Sequence, residues 1–254
     1  MRNDTCLGCG GHLNERVKES AVRSLAGQLA SRTRYPVMYR LVAGLALCGI
    51  CMNQLPVMFG PSCLQCGREG SQLCSDCHNI TAETLQSNRS LLRYNEWGKN
   101  LLSTFKYRGE ERLADFFAKL LTIAFYRYYE AIAFDCITTV PLHAQRLQER
   151  GFNQVDLLAK RLSADLGIPV RSLLVRTKMT AKLSQQTGRT ARVESMEGAF
   201  SWAGERVQKN VSGSYRVLLL DDIYTTGSTL RSCAKTILAH AGPHGSIYSL
   251  TIYR

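Results

Sequence analysis

The sequence predicts an α/β protein, a parallel sheet flanked by helices, behind a small N-terminal module of zinc-ribbon type. Three observations predict it. Short apolar strands alternate with amphipathic helices from Cys136 onward. The apolar run Val217–Leu220 ends in two acids and a hydroxyl-rich loop. Eight of the ten cysteines form four Cys-x-x-Cys pairs before residue 78. A chain of 254 residues has room for a small module plus an ordinary α/β domain.

The pairs are Cys6/Cys9, Cys48/Cys51, Cys63/Cys66 and Cys74/Cys77. Two intervening residues let a tight turn aim both sulfurs at one point. Two such knuckles complete a closed tetrahedral Zn2+ site. Cys63/Cys66 and Cys74/Cys77 flank a hairpin-sized segment with Gly67 and Gly70, and form one expected quartet. Cys6/Cys9 and Cys48/Cys51 are far apart in sequence. Their pairing with each other and a cross-braced pairing both stay open. A redox dithiol usually comes once, so four copies argue for metal. A four-thiolate site has no open position, and its role is structural. His12 and His78, beside knuckles, are read as bystanders. Cys136 and Cys233 lie in apolar surroundings and are read as core.

Residues 1–78 make up the cysteine module. Within it, Val17–Leu47 has a helical tendency broken at Tyr35-Pro36. Residues 79–93 read as a connector, and 94–254 as the α/β domain. Trp97–Tyr129 is helical and divided at Gly109, with Leu113, Phe116, Phe117, Leu120 and Leu121 on one face. Cys136–Val140 is a strand, followed by a polar loop rich in arginine. Asn153–Leu166 is a helix capped by Gly167. Leu173–Val175 is a strand, Lys178–Glu197 a polar stretch without clear period, and Arg216–Leu220 a buried strand. Ser228–Ala241 is a helix and Ile247–Tyr253 the last strand.

Composition narrows the functional classes. The segment Met1–Gly10 is polar, so no signal peptide is expected. The longest apolar run, Leu41–Ile50, is too short to span a bilayer and contains Gly44 and Gly49. No membrane insertion and a cytoplasmic location are therefore expected, and a disulfide framework is not. The net charge of +12, from 32 basic and 20 acidic residues, points to an anionic partner. Lys106, Tyr107 and Arg108 interleave cations with an aromatic ring, as a surface for single-stranded DNA does.

The chemistry concentrates in Val217–Thr229. In open α/β sheets, ligands sit beyond the carboxyl ends of strands. Asp221 and Asp222 stand at such an end, and adjacent carboxylates accept hydrogen bonds from a sugar diol. Thr225, Thr226, Gly227, Ser228 and Thr229 then open a helix, whose first N–H groups suit an anion. Gly227 lets the backbone approach a phosphate closely. The loop carries no lysine, so it is not a nucleoside triphosphate P-loop.

This stretch resembles the phosphoribosyl diphosphate (PRPP) motif of type I phosphoribosyltransferases. Phe105–Gly109, Pro141-Leu142-His143, Arg146, Glu149–Gln154, and Gln185–Phe200 with Gln186 and Arg189 extend the likeness. With the cysteine array, the chain resembles the ComF competence protein family, in its ComFC branch, over nearly its whole length. The resemblance implies a type I phosphoribosyltransferase fold that binds PRPP. Asp221 and Asp222 would hold the ribose hydroxyls, and residues 225–229 the 5′-phosphate. Pro141, Leu142, His143, Arg146 and Arg150 would lie on the pyrophosphate side, with Mg2+ bridging pyrophosphate and ribose. Lys178, Lys182, Arg189 and Arg192 would belong to a mobile loop that neutralises the leaving group. No catalytic base is identified. The family implies single-stranded DNA and a competence helicase as partners; an active transferase with an unidentified acceptor is the alternative. No counterpart of the base-recognising hood of nucleobase-salvage members is expected, which leaves the acceptor open.

Overall fold

The computed structural model describes residues 5–13, 15–31, 33–60, 62–78, 84–108, 110–178, 198–208, 213–242 and 244–254. Helices α1 (Glu15–Leu29), α2 (Tyr35–Ala43), α3 (Gly49–Asn53) and α4 (Ser75–His78) lie in the cysteine-rich segment. The expected break at Tyr35-Pro36 is the start of α2, where Pro36 stands in the first turn without costing a hydrogen bond. Then follow β1 (Ser87–Leu92), α5 (Glu96–Arg108), α6 (Glu111–Tyr128), β2 (Cys136–Thr139), α7 (Ala144–Arg150) and α8 (Gln154–Leu166). The chain continues through β3 (Leu174–Arg176), β4 (Phe200–Trp202), β5 (Tyr215–Ile223), α9 (Ser228–Ala241) and β6 (Gly245–Tyr253).

The main sheet has the order β1-β6-β5-β2, and each neighbouring pair is parallel. Val217 to Leu220 are fully buried, as a strand covered on both faces requires. β5 runs further than the apolar signal. Asp221 still pairs with Thr251, and Ile223 with Tyr253. β3 and β4 form a separate antiparallel pair.

Two segments differ from expectation. β1 falls in the stretch read as a connector and is an edge strand on β6. Its Ser87, Asn88 and Ser90 are buried, so no apolar alternation marks it. Their polar groups are satisfied internally. Ser249 donates to Asn88 Oδ1 at 2.8 Å, and Tyr129 shares a 2.9 Å hydrogen bond with Ser87. The arginine-rich loop after β2 is the helix α7. It has no buried residue, hence no apolar face to reveal it. His143 caps it by accepting from the Gln145 N–H, and Gly151 ends it at φ 76°.

The cysteine-rich segment shares its cores with the rest of the chain. Val22, Leu25, Met38, Val42 and Leu47 join one buried cluster with Phe116, Phe117, Leu120 and Ile252. Cys63, Cys66, Cys74 and Cys77 join another with Val140, Val217 and Leu219. Cys136 and Cys233 are core residues, 1% and 0% exposed. Among the described residues, no helix is long and apolar enough to cross a membrane.

Phe117 is wholly buried and meets the rings of Phe105, Phe116 and Tyr253. Phe117→Ala should cost about 3–5 kcal/mol in urea unfolding. Lys235→Ala, on the exposed side of α9, should change stability by less than about 0.5 kcal/mol.

Candidate functional site

The cysteines form two groups, Cys6/Cys9/Cys48/Cys51 and Cys63/Cys66/Cys74/Cys77, with the sulfurs of each within 4.8 Å of one another. That resolves the open pairing: neighbouring knuckles combine, without cross-bracing between groups. Sulfurs about 2.3 Å from a tetrahedral ion lie roughly 3.8 Å apart. The Cys9–Cys48 and Cys66–Cys74 separations are 3.9 and 3.6 Å, so each group fits one such ion. Backbone N–H groups prepare the thiolates. Gly8 and Cys48 donate to Cys6 Sγ at 3.3 and 3.2 Å. Burial works to raise the Cys63 thiol, yet backbone hydrogen bonds at Cys66, Cys74 and Gln65 bring it down to about 6. Neither His12 nor His78 belongs to a group.

The second group is stitched to the sheet. Asn88 N–H donates to the Gln65 carbonyl at 2.6 Å, and Arg89 to that of Leu64 at 2.9 Å. It therefore stands at the β1 edge, and a bond through Arg254 links it to the loop that follows β5.

A cavity of about 630 Å³ opens where β2 and β5 end. Its lining includes Asp221, Asp222, Thr225, Gly227 and Thr229 from the β5–α9 connection. Pro141, Leu142, Arg146 and Arg150 come from the segment after β2. The pairing of β2 with β5 brings these two segments together, although some 80 residues separate them in sequence. Thr226 and Ser228 instead share a 3.0 Å hydrogen bond between their hydroxyls. His143 caps α7 and is not in the lining.

Asp221 lies at the end of the buried strand. Burial first, then the neighbouring Asp222, push its carboxyl up to about 7. The Asp222 N–H donates to Asp221 Oδ1 at 2.9 Å and opposes that rise, as do Lys106 and Arg176. Lys106 ion-pairs with Asp222 across the cavity, from the last turns of α5. It is 23% exposed in its side chain and thus turns inward. Tyr107 and Arg108 follow it on α5, with side chains outside the described residues.

Gly227 is the N-cap of α9 at φ 74°. A Cβ there would lie 2.1 Å from Tyr224 Oη. Only glycine meets both the backbone and the contact. Arg231 holds the loop from α9: it donates to Tyr224 Oη at 3.0 Å and also to the Thr226 carbonyl.

Sequence reasoning missed Arg176. It lines the cavity from β3, which an isolated bridge aligns with His143. Its guanidinium lies 5.5 Å from the Phe200 ring centroid. Burial first, and then Arg146, hold its pKa below the ordinary value. Two like charges kept close beside a cavity suit an anion between them. The only sequence signal was an arginine at the end of a short strand. Lys178 lies just beyond β3 and is not in the lining. Lys182, Gln186, Arg189 and Arg192 lie outside the described residues. Lys99 and Tyr94 add a cation and an aromatic ring on the α5 side.

No protein-family model matches the chain. Competence protein ComFC of Bacillus subtilis is 30% identical over 234 residues, covering 89% of this chain and 92% of that protein. Competence protein F of Haemophilus influenzae is 32% identical over 204 residues, covering 77% and 86%. The DNA utilization protein YhgH of Escherichia coli K12 is 27% identical over 224 residues, covering 80% and 96%.

Asp221 makes stability depend on pH. Its carboxyl ionises near 3.8 when unfolded and at about 7 in the fold. Between those values the native state holds a proton that the unfolded state has released, so raising pH through the window destabilises the fold. Asp221→Asn cannot ionise. It should therefore be more stable than the parent protein at pH 8, by a margin that shrinks at pH 5.5. Thermal unfolding at the two pH values checks this; an unchanged margin would contradict the assignment.

Proposed function

The chain belongs to the ComF family of competence proteins, and on that footing we propose that it binds PRPP during DNA uptake. The observation that carries the reading is the Asp221/Asp222 pair between a hydroxyl-rich helix start and a cluster of arginines.

Each part has a task in that reading. Asp221 and Asp222 accept hydrogen bonds from the ribose diol, and Lys106 gives way or shares Asp222. The 5′-phosphate takes N–H and hydroxyl donors from residues 225–229 at the start of α9. Arg146, Arg150 and Arg176 meet the pyrophosphate. The carboxylates are hard oxygen donors suited to Mg2+, which would enter with the ligand and neutralise its charge. Residues 94–254 carry this site. Residues 1–78 carry two structural zinc ions.

The role in natural competence rests on the relatives named for competence and for DNA utilization. The net charge of +12 supports contact with single-stranded DNA. The gathering of three arginines on the pyrophosphate side favours a second reading, an active transferase. Neutralising the leaving group there would lower the barrier to displacement at the anomeric carbon.

Titration with PRPP and Mg2+ by calorimetry should give binding to the parent protein that falls at least about tenfold in Asp221→Ala/Asp222→Ala, since each lost charged hydrogen bond is worth about 1.5–3 kcal/mol. Equal binding by both proteins would contradict the ribose assignment. Elemental analysis should find two equivalents of zinc per chain, and their chelation should lower the melting temperature.

A further inference from the structure

One side chain spans the gap between the buried cysteine group and the β5–α9 loop. The Arg254 guanidinium donates to the Cys66 carbonyl at 3.1 Å and to Cys66 Sγ at 3.3 Å. On its other side it donates to the Thr225 and Tyr224 carbonyls at 3.0 and 3.3 Å. Its plane lies over the Tyr224 ring, 4.6 Å from the centroid. The main chain of Arg254 is itself fixed: its N–H donates to Leu92 and its carbonyl accepts from Tyr94, each at 3.0 Å.

Both ends of this bridge have a chemical purpose. A divalent ion bound by four thiolates keeps net negative charge, and the guanidinium is a counter-ion in direct contact with one of those sulfurs. At the other end, two consecutive carbonyls are held toward Arg254. In a trans peptide the N–H points opposite to the carbonyl, so the N–H groups of Thr225 and Thr226 are turned away from Arg254. Arginine is suited to this because its planar fork makes several bonds at fixed angles; a lysine is a single point charge.

We propose that Arg254 is a positioning residue that couples the metal held by Cys63, Cys66, Cys74 and Cys77 to the 224–229 loop. Metal at that group and an anionic ligand at the loop then stabilise each other's sites, and the coupling is reciprocal. The inference rests on the loop being a phosphate site. The Cys6/Cys9/Cys48/Cys51 group has an exposed member, Cys9, and serves as internal control.

The test follows zinc release to a colorimetric chelator from the full-length, zinc-loaded protein, with and without saturating ribose 5-phosphate. Release should be biphasic, with the wholly buried group slower. Ribose 5-phosphate should slow only the slow phase, by several-fold. In Arg254→Lys the slow phase should be faster without ligand, the ligand should no longer slow it, and ribose 5-phosphate should bind roughly tenfold more weakly. If the parent protein binds ribose 5-phosphate but its slow phase does not respond, the coupling is overturned and the phosphate site stands; this arm needs no variant to fold. Full slowing that persists in Arg254→Lys overturns the role of Arg254. If the parent protein does not bind ribose 5-phosphate by calorimetry, the phosphate reading fails and the coupling falls with it.

Discussion

Two carboxylates stand side by side where β5 leaves the core, and the surrounding structure answers that concentration of charge. A strand buried on both faces cannot carry Asp221 and Asp222 without compensation. Asp221 meets the difficulty by holding its proton up to about 7, mainly through burial. Asp222 meets it through Lys106, reaching across from α5. Arg176 and Arg146 supply further positive charge around the same cavity, at the cost of their own mutual repulsion. A site with this balance is suited to a ligand that brings both hydroxyls and negative charge.

The loop beyond the acids is held from two sides. Arg231 ties Tyr224 and Thr226 to α9, and Arg254 ties Tyr224 and Thr225 to the Cys66 knuckle. Gly227 is confined by both its positive φ and the Tyr224 side chain beneath it. The cysteine-rich segment is therefore more than an appended module. Its second cysteine group abuts the β1 edge, and its helices contribute to the same core as α6 and β6. Metal binding can replace apolar burial where a short segment lacks enough of it.

Much of this was legible in the sequence for physical reasons. Val217–Thr229 combines a buried strand, two acids and a helix start in contiguous residues, so local chemistry sufficed. Cysteine spacing gave the knuckles, but the partner of Cys6/Cys9 depended on the fold. β1 was hidden because its buried Ser87, Asn88 and Ser90 carry polar groups satisfied by hydrogen bonds to Tyr129, Ser249 and Thr251, so no apolar alternation shows. α7 was hidden because it buries nothing. Arg254 gave no signal and Arg176 only its place at the end of a short strand, since their significance lies in what the topology brings beside them. Lys106 was visible as a cation, but its turn inward to Asp222 was not.

In the proposed function, the β5–α9 loop and the segment after β2 act on one ligand. Hydrogen–deuterium exchange with PRPP and Mg2+ tests it most directly. Peptides covering 221–230 and 141–150 should gain protection together, at the same ligand concentration. Protection absent from both, or confined to the cysteine knuckles, would contradict a phosphoribosyl site in this cavity.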